Sequence, residues 1–152
     1  MAKTTLKDIS SLIRKLDLCT LTTVNGRGMP EGRPMSNNRD VDYDGTSYFF
    51  TTKDTSMVRE IKKNPGVSLS YIDAGLLSKR FINVSGKADL ITDKEVMRDH
   101  WNPDLEIWFK DGIDTKGIVM IKVQATHLKM WEKNKETEVN LTKARTARKK
   151  KT

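Results

Sequence analysis

Apolar residues recur at helical spacing near the start of the chain, at Leu6, Ile9, Leu12, Ile13 and Leu16. Thr5 and Asp8 stand where a capping box would begin that helix. The period then drops to two. Leu18–Val24 alternates β-branched and apolar residues and ends at Asn25-Gly26-Arg27-Gly28, a hairpin-turn sequence. A return strand is expected from Met29 to Asn38, then a turn at Asp42-Tyr43-Asp44-Gly45 and a strand over Thr46–Thr52. A short helix over Thr55–Lys63 turns Val58 and Ile61 inward, and Asn64-Pro65-Gly66 stops it. Val67, Leu69 and Tyr71 alternate again, and Ala74-Gly75 leads to a strand over Phe81–Leu90. Gly86 inside that strand points to a bulge or a close backbone approach. Thr92-Asp93-Lys94-Glu95 resembles a second capping box, opening a helix to His100. Trp101–Phe109 reads as irregular or short helix, and Asp111-Gly112 as a turn. The last strand, Ile118–Trp131, is apolar on both faces in its first half, the mark of a central strand.

The pattern predicts a mainly β domain of six strands and three helices, its strands largely antiparallel because most connections are short. The third and fourth strands are joined by a helix, which permits a crossover. Closing such a sheet into a small barrel would remove its edges. At 152 residues, 36% of them hydrophobic, the chain suffices for one core. The expected division is a folded domain over 1–138 and a basic, solvated tail over 139–152.

Charge changes the picture only once it is located. The net charge is +8, but residues 143–152, KARTARKKKT, carry six of those charges and leave +2 for the rest. Basicity therefore belongs to the tail, which could touch nucleic acid or an anionic surface weakly; it has no interleaved aromatic residue on which bases would stack. No apolar run reaches the ~20 residues of a membrane span. The single cysteine, Cys19, cannot form an internal disulfide and sits in an apolar strand, so a buried, inert thiol in a cytoplasmic setting is expected.

Candidate chemistry is sparse. The two histidines, His100 and His127, are far apart and have no cysteine partners, which argues against a metal site. No nucleophile elbow, phosphate-binding loop of the Walker type or dinucleotide glycine fingerprint occurs. One grouping stands out. Arg33 lies in a strand, and Thr51-Thr52-Lys53-Asp54-Thr55-Ser56 closes a strand and opens a helix. Guanidinium, hydroxyls and helix-start N–H groups together can hold a phosphate. The plainer alternative is a solvent-facing strand arginine beside a strand end and an ordinary helix cap. Trp101, Trp108 and Trp131 are each either packing residues or a wall against which a ring could stack.

Several stretches, in order, resemble the pyridoxamine-phosphate-oxidase-like split-barrel flavoproteins, most of all the bacterial general stress protein branch. They are Gly32-Arg33-Pro34-Met35, Tyr48-Phe49-Phe50-Thr51, the Asp54–Ile61 helix, Asn64–Tyr71, Val84–Ala88, Trp101-Asn102-Pro103, Trp108–Gly112 and Met130-Trp131-Glu132. The resemblance spans Leu6 to Lys133. It implies a six-stranded antiparallel Greek-key split β-barrel that forms a homodimer, with FMN (FAD as a variant) at the interface.

By position, the resemblance implies Arg33 on the phosphate and Met35 and Ser36 beneath the flavin. Phe50, Thr51 and Thr52 would line the ring and ribityl chain mainly through backbone, Thr55 and Ser56 would lie near the phosphate, and Trp108 would form a wall. Two positions depart from the family pattern. Met57 stands where a lysine usually pairs with the phosphate, which removes a contact worth about 1.5–3 kcal/mol; Lys53, Arg59 or Lys62 would have to compensate. Phe81 occupies the place of a flavin-holding glutamine. The oxidase's C-terminal, substrate-recognising segment is also missing, so true pyridoxamine-phosphate oxidase activity is not expected.

The implied function is a flavin-dependent oxidoreductase acting on a small molecule, with a nicotinamide nucleotide as one candidate electron donor. The alternatives are a non-catalytic flavin-binding stress or sensor protein, and a split-barrel binder of another ligand such as a deazaflavin or haem, for which His100 or His127 would be the axial candidates.

Overall fold

The computed structural model describes residues 4–37, 43–76 and 79–142. Asn38, Asp42 and residues 143–152, to which the sequence assigns a strand end, part of a turn and the basic tail, lie outside the described residues. Seven strands form one antiparallel sheet: β1 Leu18–Val24, β2 Pro30–Ser36, β3 Thr46–Thr52, β4 Gly66–Ala74, β5 Lys79–Ile91, β6 Ile118–Glu132 and β7 Lys135–Asn140. Three helices accompany them: α1 Leu6–Ile13, α2 Ser56–Lys63 and α3 Lys94–His100. Short 3-10 turns cover Pro103–Ile107 and Gly112–Asp114.

The sheet order is β2-β1-β4-β5-β6-β3, and β7 pairs with the distal half of β6. The sheet curls around a core without closing. The α2 connection carries the chain across the sheet from β3 to β4, the crossover that the helical link permitted.

Two of the expected starts hold with their chemistry visible. Thr5 caps α1 in a capping box: its N–H donates to Asp8 Oδ2 at 2.8 Å, and its Oγ1 accepts from the Asp8 N–H at 3.3 Å. At α3 the cap is one residue later than the capping-box pattern suggests, since Asp93 Oδ1 accepts from the Glu95 N–H at 2.9 Å. The expected count of six strands falls one short. β7, Lys-Glu-Thr-Glu-Val-Asn, is a charged edge strand with no apolar alternation to announce it. It follows a tight turn in which Lys133 takes a positive φ of 56°. β7 runs across the expected 138/139 boundary, and Leu141 beyond it is buried in the main core.

The core has two parts. The larger fills the barrel, with Ile9, Leu12 and Ile13 of α1 and Met57 and Ile61 of α2 packed on Leu21, Leu69, Ile82, Val84, Ile121 and Val123. The smaller lies on the other face of β3 and β6, where Phe50, Ile118 and Met120 pack against Met97 of α3, with Trp101, Leu105 and Phe109 around them. This explains the two apolar faces of early β6: Ile121 and Val123 serve one core, Ile118 and Met120 the other.

At Gly86 the sequence expectation is met in full. The β5–β6 register jumps between Ser85 and Gly86, which pair with His127 and Ala125, so Thr126 bulges from β6. A Cβ on Gly86 would stand 2.3 Å from the Gln124 carbonyl oxygen, so only glycine fits.

Candidate functional site at the split between the sheet edges

The two strands carrying most candidate residues, β2 and β3, are the two ends of the strand order. Their outward-facing backbone differs. In an antiparallel pair, hydrogen-bonded residues alternate with residues whose N–H and C=O point away. The β1–β2 ladder is bonded at Asn37–Asp17 (2.8 Å) and at Asn25–Met29 (2.8 Å), and its register is unbroken between them. Pro30, Gly32, Pro34 and Ser36 therefore point their backbone to the unpaired side. Prolines fill two of these four places, so half of that edge has no donor. The β3–β6 ladder is bonded at Lys53–Gly117 (2.8 Å) and at Gly45–Ala125 (2.8 Å). By the same alternation Tyr48, Phe50 and Thr52 turn their N–H and C=O outward. Among the described residues, β3 presents an outward N–H at each of these three positions, whereas β2 has one only at Gly32 and Ser36.

That edge runs into α2. Thr55 caps the helix: its Oγ1 accepts from the Val58 N–H at 3.3 Å and donates to the Thr52 carbonyl at 3.2 Å. Ser56 is exposed beside it, and Thr51 and Thr52 are half-buried. Of the three cations expected to compensate for the absent lysine at position 57, Arg59 lies at this end of the helix, its Nη1 donating to the Asp54 carbonyl at 3.2 Å. Met57 itself is only 5% exposed and belongs to the main core, so its side chain serves packing.

Arg33 is placed differently from either sequence reading. Its Nη1 donates to Thr23 Oγ1 at 2.7 Å, and its Nη2 donates to Glu60 Oε2 at 3.4 Å. Thr23 is fully buried and donates to the same carboxylate oxygen at 3.3 Å. Glu31 lies 3.8 Å from Nη2. The side chains of Arg33 and Glu60 are 21% and 9% exposed. The guanidinium thus neutralises an acid inside the barrel end and faces solvent only in part. Glu60 and Thr23 escaped the sequence analysis. Their signal was a glutamate in the inward stripe of α2, beside Met57 and Ile61, with an arginine on an inward position of β2 to meet it.

The remaining candidates separate. Met35 is half-buried against the main core, while Ser36 is exposed. The Phe50 ring packs edge-to-face on Trp101, with centroids 4.9 Å apart, in the smaller core; only its backbone is available at the edge. Trp108 is 69% exposed at the end of the 3-10 turn Pro103–Ile107, next to exposed Ile107. Phe81 lies on the outer face of β5 between its cross-strand neighbours Ile72 and Trp131. The ring of His100 stacks on Tyr48 at 3.5 Å, and His127 Nδ1 lies 3.1 Å from Thr126 Oγ1. No group of three metal-ligating side chains occurs among the described residues. Burial pushes the Cys19 thiol up to about 12, and burial likewise raises Tyr71 well above its ordinary value.

Set against FMN, this arrangement fits in one half and not in the other. The β3 edge and the hydroxyls at the start of α2 suit a flat heterocycle with a polar side arm. The arginine expected to hold the phosphate is already paired with Glu60.

The family model described as pyridoxamine 5'-phosphate oxidase like matches residues 4–152. The chain belongs to this family. General stress protein 26 of Bacillus subtilis (strain 168) is 31% identical over 114 residues, covering 73% of this chain and 80% of that protein. A solved structure of a Clostridium acetobutylicum protein related to general stress protein 26 superposes with a TM-score of 0.77 at 19% identity, covering 91% of this chain and 95% of the other. An F420 reductase structure gives a TM-score of 0.59 at 26% identity, covering 78% and 94%. These likenesses make the fold the split barrel of the pyridoxamine-phosphate-oxidase-like family, here with a seventh strand. Among the described residues no helix is long and apolar enough to cross a membrane.

Proposed function

We propose that this member of the family is a flavin-binding oxidoreductase of the general stress type, which holds an FMN-like ring against the open edge of β3. The carrying observation is that edge: the outward N–H groups of Tyr48, Phe50 and Thr52 and the outward C=O groups of Tyr48 and Phe50 run towards the hydroxyls of Thr55 and Ser56, the Thr52 carbonyl being taken by Thr55. A bound flavin supplies hydride or electron transfer to and from a small substrate. The chain's own residues bind and orient. The β3 backbone gives directional hydrogen bonds, Thr55 fixes the loop into α2, and exposed Trp108 and Ile107 offer an apolar cover that limits water at the ring. The likeness to an F420 reductase supports redox chemistry with a flavin-type ring and makes a deazaflavin an alternative ligand to FMN or FAD.

A homodimer is part of this reading. The outer face of β4, β5 and β6 carries a cross-strand row of Ile72, Phe81 and Trp131, with Ile72 60% and Phe81 45% exposed. Beside it runs the row Ser70, Asn83 and Lys129, the first two joined at 3.2 Å. An apolar row next to the short polar side chains of Ser70 and Asn83, with Lys129 paired to Glu136 at the rim, suits a second copy of the chain. A nicotinamide nucleotide is the candidate electron donor. The tail at 143–152 is proposed to add weak, salt-sensitive attraction to anionic surfaces or nucleic acid.

The test is the visible spectrum of purified protein before and after incubation with FMN and gel filtration, followed by NADPH- or NADH-dependent bleaching measured against an equal amount of FMN alone. Retained flavin that bleaches faster than the control supports the oxidoreductase. Retained flavin without acceleration favours the second reading, a non-catalytic flavin-binding sensor, which the packing of Met57 into the core also suits.

A further inference from the structure

We infer that Glu60 is a built-in substitute for phosphate at Arg33, so that the proposed flavin site gains little affinity from the phosphate of its ligand. The inference rests on the flavin reading and concerns selectivity within that site.

Arg33 is the guanidinium carried by the strand edge beside α2. An incoming phosphate would need its donors and its positive charge. Both are engaged internally: Thr23 takes one donor at 2.7 Å, and Glu60 takes another at 3.4 Å. Glu60 is only 7% exposed, so displacing it from Arg33 would leave its charge buried and unpaired. Its oxygen is held from a second side by the fully buried Thr23 hydroxyl at 3.3 Å. Glu31, 3.8 Å from the guanidinium, adds a second carboxylate. One guanidinium faces two carboxylates, and the cluster carries a formal charge of −1. A dianion arriving there meets repulsion from the buried Glu60, which water screens poorly, and from the half-exposed Glu31. Met57, buried in the core, supplies no charge in return. The ligand end that the cluster accepts without this opposition is uncharged, such as the terminal hydroxyl of riboflavin.

Titrations of flavin fluorescence with FMN and with riboflavin separate the phosphate's contribution from that of the ring. For the natural chain we expect the two dissociation constants to agree within about threefold. In E60Q, which keeps an acceptor for Arg33 but removes the charge, FMN should gain about tenfold to a hundredfold over riboflavin, the worth of one charge-assisted contact. The double variant R33Q/E60Q leaves no unpaired buried charge and should lose that gain. A natural chain that prefers FMN tenfold or more, or an E60Q ratio equal to that of the natural chain, would overturn the inference. Should E60Q fail to fold, the ratio in the natural chain decides alone.

A second arm needs no flavin. Inorganic phosphate, compared with chloride at equal ionic strength, should leave the natural chain's melting temperature unchanged and raise that of E60Q. Stabilisation of the natural chain by phosphate would refute the role of Glu60. If neither flavin binds any variant, the flavin reading fails, and this phosphate arm still decides what Glu60 does.

Discussion

Arg33 looks from the sequence like a phosphate ligand or a surface residue, and it is neither in isolation. Alanine at position 33 should destabilise the protein by ~3–5 kcal/mol, because it leaves Glu60 buried without its cation; urea unfolding checks this. Gly86 admits no side chain, since a Cβ would meet β6 backbone that cannot move aside. G86A should cost at least ~3 kcal/mol and lower the yield of folded protein. Cys19 gives a pH test. Its thiol is raised to about 12 by burial, from 9.0 when unperturbed. The folded state therefore keeps a proton that the unfolded state releases. This contribution is fully present below pH 9 and declines as pH rises towards 12, with a slope up to ~1.4 kcal/mol per pH unit. In denaturant titrations C19A should show a shallower fall over that range. Native Cys19 should also resist thiol reagents at pH 8 and react on unfolding.

At the scale of elements, the strands and helices were legible wherever period and packing agree. The Thr5–Asp8 cap, the Gly86 bulge and the two-faced start of β6 follow from residue pattern alone. β7 was not legible, because Lys135–Asn140 buries only alternate small or branched residues under a charged face. The environment of Phe50 was hidden for another reason: α3 and the 3-10 turn that cover it are contributed some fifty residues later. Arg33 and Glu60 meet across 27 residues, and local pattern carries no record of such a pairing. The edges make an element-scale prediction. Proline at position 50 would remove the outward N–H at the centre of the β3 edge without touching the β3–β6 ladder. F50P also deletes the Phe50 ring from the smaller core, so its comparison is F50A. Both should lose stability, and only the proline should lose the additional flavin affinity that this N–H provides.

For the whole molecule, β2 and β3 are the two ends of the strand order, and the outer face of β4-β5-β6 is the surface proposed for a second copy. If that face is the interface, F81K together with W131K should shift the protein to monomer in light scattering coupled to size exclusion. Flavin affinity should fall with it if the proposed homodimer holds the flavin at its interface. The split barrel and its family were readable from the order of weak motifs. The state of Arg33 was not, since it depends on which buried acid the arginine meets once folded.

Whether a flavin ring lies along the open edge of β3 is decided by residue-resolved amide exchange. Without ligand, Tyr48, Phe50 and Thr52 should exchange fast while Phe49 and Thr51, bonded to β6, exchange slowly. Saturating FMN or riboflavin should slow Phe50 and Thr52 at least tenfold and leave Phe49 and Thr51 as they were. Retained flavin with no added protection on β3, or with protection confined to another part of the sheet, would contradict the account.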